Sequence, residues 1–241
     1  MANPSLLLAI FFAALYVQGG LSTTFTIKNN CGQTIWPGVQ TNPNVPAFPS
    51  TGFELAASAS NSITAPAKWA GRMWGRTSCS TDSSGKFTCQ TGDCGSGQVA
   101  CNGNGGAPPA SLVEFTLQGD GGKDNYDISL VDGFNLPVSI TPQGVSGCTA
   151  PSCSANINAD CPAVLQDTVS GSVVGCKSAC LEFNQPQYCC TGDHNTEATC
   201  PPTNYSEFFK NKCPQAYSYA YDDKTSLFTC TGANYLITFC P

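Results

Sequence analysis

The sequence has 241 residues and a net charge of −6, from 16 acidic and 10 basic side chains. An acidic surface repels phosphate groups, so this charge argues against a nucleic-acid-binding protein and against simple electrostatic attraction to anionic membranes. Only 11% of the residues are charged. Such a composition is compatible with a neutral polymeric ligand such as a polysaccharide.

The first 22 residues carry no charged side chain. Their apolar run from Leu6 to Val17 is followed by small residues, which is typical of a secretory signal peptide. The run is shorter than the about 20 residues of a membrane span. We therefore predict a signal peptide over residues 1–22, cleavage before Thr23, and a secreted protein over residues 23–241 with no transmembrane segment.

All 16 cysteines lie after the predicted leader. An even number of cysteines in a secreted chain predicts eight disulfides, although spacing alone does not give their pairing. A zinc site is the competing interpretation. It is disfavoured because the chain has a single histidine, His194, and because an oxidising compartment removes free thiolate ligands. We predict neither a metal nor a cofactor.

The composition of 24 glycines and 17 prolines, with few helical patterns, predicts a mainly β fold. Many short strands separated by turn residues favour a sandwich or a flattened barrel. The predicted strands cover residues 24–28, 34–36, 52–55, 72–77, 112–117, 127–131, 137–141, 217–221 and 235–239.

Carboxylates in two neighbouring segments give the best indication of function. In 112–117, the apolar residues alternate with Glu114, which must face away from them. In 124–137, Asp127 and Asp132 accompany a strand pattern, but five extended residues would place them on opposite faces of a sheet. A bulge, or a turn at Gly133, would bring them together. Aspartates at strand ends also serve backbone hydrogen bonding alone, which is the competing interpretation.

The segment 148–213 holds nine of the 16 cysteines and little alternation, which predicts a loop-rich lobe held by disulfides. Its best helix is 203–212, with Thr203 as the N-terminal cap and an apolar stripe that includes Phe209. A shorter helix is predicted over 174–183. Asn204 begins a glycosylation acceptor sequence, although a helix start is an unfavourable place for a glycan.

Other chemistry finds little support. A serine or cysteine nucleophile would need His194, which lies in a polar loop sequence. Glycine fingerprints for phosphates or dinucleotides are missing from the sequence. Glycoside hydrolysis remains, because it needs two carboxyl groups, one of them kept protonated. An arginine, Arg72 or Arg76, would keep the other carboxyl ionised.

Five segments together resemble a known family. They are GRMWGRT at 71–77, TGDCGSGQVAC at 91–101, the acidic run at 127–137, QYCC at 187–190 and CPQAYSYAYDD at 213–223. With the order of the 16 cysteines, these segments are similar to the thaumatin-like proteins of plants, over residues 23–241. The acidic charge resembles that of the fruit members.

The resemblance implies a flattened β-sandwich with a small lobe and a disulfide-rich loop and helix lobe, and an acidic cleft between the sandwich and the disulfide-rich lobe. The implied sandwich spans 23–76, 113–154 and 214–241, the small lobe 77–112, and the disulfide-rich lobe 155–213. The implied disulfides are Cys31 with Cys240, Cys79 with Cys89, Cys94 with Cys101, Cys148 with Cys230, Cys153 with Cys213, Cys161 with Cys176, Cys180 with Cys189, and Cys190 with Cys200.

The family's five cleft residues fall on Arg72, Glu114, Asp127, Asp132 and Asp222. Motif alignment selects Arg72 over Arg76 and Asp222 over Asp223. The family also implies plant defence in the extracellular space (apoplast), antifungal action, binding of β-1,3-glucan, weak endo-β-1,3-glucanase activity in some members, and allergenicity of fruit members.

Two functional hypotheses follow, both for a monomer. In the first, the protein is a weak β-1,3-glucanase in which Glu114 is the general acid and Asp127 or Asp132 the nucleophile or base. Arg72 tunes their ionisation, and Asp222 and Phe134 contact the sugar. In the second, the protein binds fungal wall polysaccharide or perturbs membranes without catalysis.

Overall fold

A computed structural model describes residues 22–241 of the chain. The predicted signal peptide therefore lies outside the described residues, apart from Ser22, and its cleavage before Thr23 stays a prediction. In chain order the strands are β1 (Thr23–Asn29), β2 (Trp36–Thr41), β3 (Ser60–Ala65), β4 (Ala70–Thr81), β5 (Phe87–Thr91), β6 (Leu112–Thr116), β7 (Asp124–Ser129), β8 (Val138–Gln143), β9 (Ser152–Cys153), β10 (Gln166–Val169), β11 (Ser172–Cys176), β12 (Phe228–Cys230) and β13 (Asn234–Phe239).

The helices are short. They are α1 (Ala179–Phe183), α2 (Pro186–Cys189), α3 (Asn204–Lys212) and α4 (Asp223–Ser226), with single 3-10 turns at Asp120–Gly122, Ile157–Asp160, Ala163–Leu165 and Gly192–His194. Within residues 22–241, none of them is long and apolar enough to cross a membrane.

Two sheets form a flattened sandwich. One has the strand order β3-β1-β13-β8-β9 and the other β12-β7-β6-β4-β2. Strands β1 and β13, near the two ends of the described chain, pair in parallel, whereas the other pairs within these two sheets are antiparallel. The fold is mainly β, as the sequence predicts, and the sheets do not close into a barrel.

Alternation along the strands builds the core between the sheets. In β1, Phe25 and Ile27 are no more than 1% exposed, whereas their neighbours Thr24, Thr26 and Lys28 are partly exposed. The ring of Phe25 lies 4.8 Å from that of Phe115 on the opposite sheet, and Phe115 lies 4.8 Å from Tyr235. Each such side chain contributes about 1.5–3 kcal/mol by leaving water. The aromatic contacts therefore fix the two sheets against each other.

The six-stranded sheet uses both of its faces. Its inner face carries a row of buried residues across four strands: Val39, Met73, Val113 and Ile128. Because side chains alternate along a strand, the neighbouring row faces outward. The small lobe covers one end of that outer face, where the buried Trp74 indole donates a hydrogen bond to the Gly92 carbonyl at 2.7 Å. The rest of the outer face remains open to form a cleft.

Arg76 fastens the small lobe to the sandwich. Its guanidinium is fully buried and donates to the carbonyl oxygens of Trp36 at 2.8 Å and Val99 at 2.6 Å. These bonds tie β2 to the loop that follows β5. Arg76 therefore has a structural position, and of the two candidate arginines only Arg72 remains available to the cleft.

The disulfides pair the cysteines as the resemblance implies, and every cysteine in residues 22–241 is bonded. The pairs are Cys31–Cys240, Cys79–Cys89, Cys94–Cys101, Cys148–Cys230, Cys153–Cys213, Cys161–Cys176, Cys180–Cys189 and Cys190–Cys200. Four of them lie within the segment 155–213 or join it to the sandwich. They hold a lobe whose helices are too short to be stable alone.

The predicted helix over 203–212 is confirmed as α3. Thr203 and Ser206 form a capping box, in which each side chain accepts a hydrogen bond from the other's backbone N–H. Asn204 is exposed at the first helical position, and its glycosylation stays a prediction. The helix predicted over 174–183 is wrong in its first half. Residues Ser172–Cys176 form β11, and the helix α1 starts only after Ser178, which caps it.

The strands predicted at 24–28, 72–77, 112–117, 137–141 and 235–239 are confirmed within β1, β4, β6, β8 and β13. The prediction over 127–131 overlaps β7, which ends at Ser129. The predictions over 34–36 and 52–55 are largely wrong, because strand β2 begins only at Trp36 and residues 52–55 belong to no strand. Apart from Trp36, the predicted segments contribute only isolated bridges, such as that between Ile35 and Leu55.

Candidate active site

Three charged side chains lie side by side on the outer face of the six-stranded sheet. Arg72 on β4 is the cross-strand partner of Glu114 on β6, and Glu114 is the partner of Asp127 on β7. Directly opposed residues in antiparallel strands have Cβ atoms about 4.5–5.5 Å apart. Strand pairing therefore places one guanidinium and two carboxyl groups in a single row.

Arg72 and Glu114 form an ion pair. The distance from Arg72 Nε to Glu114 Oε1 is 3.5 Å, and the side chains are 37% and 32% exposed. A pair with this much solvent contact contributes little to stability. Its consequence is electrostatic, because the guanidinium favours the ionised form of Glu114.

A turn brings Asp132 to the same cleft. The N–H of Gly133 donates to the Leu130 carbonyl at 2.9 Å, and Gly133 has φ of +84°. A Cβ at this position would lie 2.6 Å from the carbonyl oxygen of Cys176, so only glycine fits. The turn at Gly133 thus resolves the difficulty that an extended chain would place Asp127 and Asp132 on opposite faces.

The fourth cleft carboxylate is Asp223, which begins α4. It accepts a hydrogen bond from the hydroxyl of Tyr217 at 2.9 Å. Tyr217 lies next to Asp127 on the edge of this cleft because its backbone bridges to the end of β7: the Tyr217 N–H donates to the Ile128 carbonyl at 2.8 Å. Burial, followed by the hydrogen bond to Asp223, raises the pKa of Tyr217. The phenol therefore stays protonated and remains a donor.

These residues line a cleft of about 390 Å³, which we call the acidic cleft: Arg72, Glu114, Asp127, Asp132, Tyr217 and Asp223. Leu112, Val131 and Ala220 add apolar surface to its wall. In the described part of the chain, histidine, cysteine and carboxylate side chains form no cluster that could hold a metal ion.

Two of the residues predicted to contact sugar are not among those that line the acidic cleft. Asp222 lies outside the acidic cleft, where its Oδ2 forms an ion pair with Lys210 at 2.9 Å and accepts from the N–H of Ser218 at 3.0 Å. Phe134 is fully buried in the core, and its backbone exchanges two hydrogen bonds with Cys176. A side chain without exposed surface cannot stack on a sugar ring.

The two opposed carboxyl groups differ in their electrostatic surroundings. Burial raises the pKa of Asp127 to about 8, and the negative charge of Glu114 adds to this effect. The Oδ1 atom of Asp127 is buried and has no hydrogen-bond partner among the described residues. Burial also raises the pKa of Glu114, but Arg72 opposes the shift. Glu114 therefore ionises first, and Asp127 keeps its proton near neutral pH.

Comparison with known sequences decides the family. Residues 29–241 match the thaumatin family, which covers nearly all of the described chain. The chain belongs to the thaumatin family. The fold, the eight disulfide pairs and the row of charged residues on the outer face are therefore those of a thaumatin-family member.

Two plant relatives of this thaumatin-family chain are similar over almost its full length. It is 64% identical over 226 residues to thaumatin-like protein 1 of Pyrus pyrifolia, which covers 92% of this chain and 93% of the relative. It is 58% identical over 237 residues to a glucan endo-1,3-beta-glucosidase of Prunus avium, which covers 97% of each chain.

A solved structure shares the fold. It is a laminaripentaose-producing beta-1,3-glucanase of glycoside hydrolase family 64 from Paenibacillus barengoltzii, complexed with laminarihexaose. The alignment has a TM-score of 0.55 at 14% sequence identity, and covers 91% of this chain and 75% of that chain. At this identity the likeness shows the fold alone.

Tyr217 and Asp223 are cleft residues that were not predicted from the sequence. Both lie in the thaumatin-family motif at 213–223, but the alternating tyrosines in this motif predict a strand. The segment instead forms a turn, in which Asp222 accepts hydrogen bonds from the Ser218 N–H and hydroxyl. The motif could have indicated that this segment borders the cleft. It could not show which of the two adjacent aspartates has its side chain in the cleft.

The raised pKa of Asp127 predicts how stability depends on pH. Below about pH 3 the carboxyl is protonated in the folded and unfolded states alike, since its ordinary pKa is 3.8. Between this value and about 8 only the unfolded chain loses the proton, so the free energy of unfolding falls as pH rises, and above pH 8 the loss is complete.

We therefore expect Asp127→Asn to raise the free energy of unfolding by about 4 kcal/mol at pH 7, because pH 7 lies about three units above the ordinary pKa of 3.8. Denaturant titrations of the wild type and the variant from pH 3 to pH 9 measure this difference, which should shrink towards zero near pH 3. A difference that is constant over the whole range would show that Asp127 ionises normally in the folded protein.

Proposed function

We propose that the protein is a secreted plant defence protein that binds β-1,3-glucan of fungal walls in the acidic cleft and hydrolyses it slowly. The observation that carries this proposal is the pairing of Glu114 with Asp127 directly across β6 and β7, with Arg72 in an ion pair with Glu114. Glycoside hydrolysis needs two carboxyl groups in opposite protonation states. The Prunus avium relative, by its name, supports the substrate class.

Asp127 is the general acid in this proposal. A proton donor must hold its proton at the working pH, and burial raises the pKa of Asp127 to about 8. The hypothesis drawn from the sequence instead makes Glu114 the proton donor. The ion pair with Arg72 disfavours that assignment, because a neighbouring guanidinium stabilises the carboxylate and not the protonated acid.

Glu114 supplies the negative charge. Departure of the leaving sugar, after protonation of the glycosidic oxygen by Asp127, leaves positive charge on the adjacent ring, and a water molecule then adds to this ring and returns a proton to Asp127. The carboxylate of Glu114, whose ionised form is favoured by Arg72 at 3.5 Å, faces this charge from the neighbouring strand. Asp127 and Glu114 therefore have different roles because they lie on neighbouring strands and because Arg72 pairs with Glu114.

The remaining cleft residues bind the polymer. Asp132 and Asp223 offer acceptors for sugar hydroxyls, and the Tyr217 hydroxyl, now donated to Asp223, is a donor and acceptor at the same site. Leu112 and Val131 provide apolar surface for the C–H face of a sugar ring. A cleft of this kind suits an uncharged, hydroxyl-rich chain.

Secretion is part of the proposal. Eight disulfides fit an oxidising compartment outside the cytosol. Eight disulfides stabilise the folded state because they restrict the unfolded chain. This stability suits a protein that is exposed to proteases at the fungal cell wall.

Binding and hydrolysis can be tested separately. The purified secreted protein is incubated with insoluble β-1,3-glucan, and with cellulose as the control polymer, and the retained fraction is measured. Release of reducing ends from laminarin is measured in parallel. We expect retention on β-1,3-glucan and slow release of reducing ends. Retention without reducing ends would favour the non-catalytic alternative, and equal retention on both polymers would contradict the proposed substrate class.

We expect Asp223→Asn to weaken retention on β-1,3-glucan about tenfold, because a charged acceptor contributes about 1.5–3 kcal/mol to a hydrogen bond. Asp120→Asn is the matched control, since Asp120 is exposed in a 3-10 turn away from the cleft. Binding curves on insoluble glucan give both values. Unchanged affinity of Asp223→Asn would remove Asp223 from the proposed binding surface.

A further inference from the structure

A second cleft of about 360 Å³ lies where the end of the sandwich meets β5 and β11. Its rim carries three amide side chains from different parts of the chain. Gln33 lies between β1 and β2, Gln90 lies on β5, and Asn156 precedes the 3-10 turn at Ile157–Asp160. We call this cavity the amide cleft.

The rim side chains have unused hydrogen-bonding groups. Gln33, Gln90 and Asn156 are exposed, and so is Ser78, whose hydroxyl also lines the amide cleft. Hydrogen bonds within residues 22–241 involve none of these four side chains, although every amide can donate twice and accept twice. Their donors and acceptors converge on one cavity and are free to bind a ligand.

The floor of the amide cleft is rigid. Asn135 is buried, and its Nδ2 donates to the Gly75 carbonyl and to Thr91 Oγ1, each at 2.8 Å. Asn158 is held by hydrogen bonds from its Nδ2 to the carbonyls of Asn135 and Val174, each at 3.2 Å. Its Oδ1 is buried without a hydrogen-bond partner in the described chain. A fixed floor lowers the entropic cost of binding a ligand at the rim.

The chemistry of the lining selects the ligand. Among residues 22–241, no charged side chain lines the amide cleft, so it offers nothing to neutralise an anion or a cation. Val173, Val174 and Pro137 form apolar parts of the wall. Amides that donate and accept together match vicinal hydroxyls, and apolar wall matches the C–H face of a sugar ring. The volume lies within the range of small-molecule sites, about 300–1,000 Å³.

We propose that the amide cleft is a second carbohydrate site, which binds a short, neutral oligosaccharide independently of the acidic cleft. The two cavities share no lining residue. The acidic cleft combines ionised groups with a proton donor, whereas the amide cleft has only neutral hydrogen-bonding groups on a fixed floor. The second site therefore binds sugar without cleaving it.

The test uses the triple variant Gln33→Ala, Gln90→Ala, Asn156→Ala. Because these side chains are exposed and make no hydrogen bonds, their removal leaves the fold intact. Laminaritetraose, cellotetraose and mannotetraose are titrated separately into the ¹⁵N-labelled protein, and backbone amide shifts are followed by NMR. We expect at least one of them to shift the signals of Ser78, Val173 and Val174, and the triple variant to lose about tenfold or more of that affinity.

Two controls separate this site from the proposed glucanase site. The double variant Gln143→Ala, Asn195→Ala removes exposed amides outside both clefts and should bind as the wild type does. The variant Asp223→Asn should keep the shifts at Val173 and Val174 whether or not the acidic cleft binds glucan. If all three oligosaccharides leave these signals unmoved, or if the triple variant binds as tightly as the wild type, the amide cleft is not a carbohydrate site.

Discussion

Replacing Asp127 with asparagine should lower the rate of laminarin hydrolysis by about 10²–10⁴-fold, the usual contribution of a general acid. The asparagine side chain has nearly the same size and fits the same place opposite Glu114. It cannot release a proton to the glycosidic oxygen. The variant should still be retained on insoluble β-1,3-glucan, because the binding residues on α4 and in the turn at Gly133 are unchanged.

The pH profile of the wild type should report the same group. Burial raises the pKa of Asp127 to about 8, so the rate should fall as pH rises through this value and the proton donor is lost. The residual rate of Asp127→Asn should lack this alkaline limb. A mutation that only disturbed the structure would lower the rate without removing one limb of the profile.

Asp120→Asn makes the same chemical change at an exposed position and should keep the wild-type rate. An Asp127→Asn variant with half or more of the wild-type rate would contradict the proposed donor. Glu114→Gln would then be the next variant to measure, since the sequence analysis assigned the donor role to Glu114.

The row formed by Arg72, Glu114 and Asp127 shows which features of the site can be predicted from the sequence. Alternation in β6 correctly turned Glu114 away from the core, because Val113 and Phe115 are buried. Pairing of Arg72 with Glu114 and of Glu114 with Asp127 depends on which strands become neighbours and in what register. No local pattern contains that information. The opposite protonation preferences of the two carboxyl groups follow from this register, so they too were beyond the sequence.

The segment 217–221 shows why an alternating pattern alone can predict the wrong local structure. Tyr217, Tyr219 and Tyr221 alternate as in a strand, but Asp222 accepts the Ser218 N–H and hydroxyl, and this local bonding competes with strand formation. The ion pair of Asp222 with Lys210 on α3 then fixes which of two adjacent aspartates faces the cleft. The orientation of Asp222 therefore depends on Lys210, a residue outside the local turn sequence.

Two of the missed strands, β3 and β5, lacked an alternating apolar pattern. Strand β3 (Ser60–Ala65) lies at the edge of its sheet and consists mostly of small polar residues, so its alternation is between exposed and half-buried positions. Strand β5 (Phe87–Thr91) pairs only with β4 and buries just its two ends. Both strands form because a neighbour offers a free edge, which is a tertiary cause.

Removing the disulfide between Cys31 and Cys240 should have the largest effect on stability. It joins residues 209 apart in sequence, just beyond β1 and β13. In the chain-entropy account, a loop of this length stabilises the folded state by about 5 kcal/mol, mainly by restricting the unfolded chain. We therefore expect the double variant Cys31→Ala, Cys240→Ala to lower the free energy of unfolding by about that amount.

The disulfide between Cys190 and Cys200 supplies the matched control, because it closes a loop of only 10 residues and its cysteines are similarly buried. The same account gives about 3 kcal/mol for its removal. Guanidinium titrations of the two double variants, with the slopes compared to confirm a single transition, measure the difference. Equal losses would mean that loop length does not set the contribution, and that the contacts around each bridge in the folded protein decide it instead.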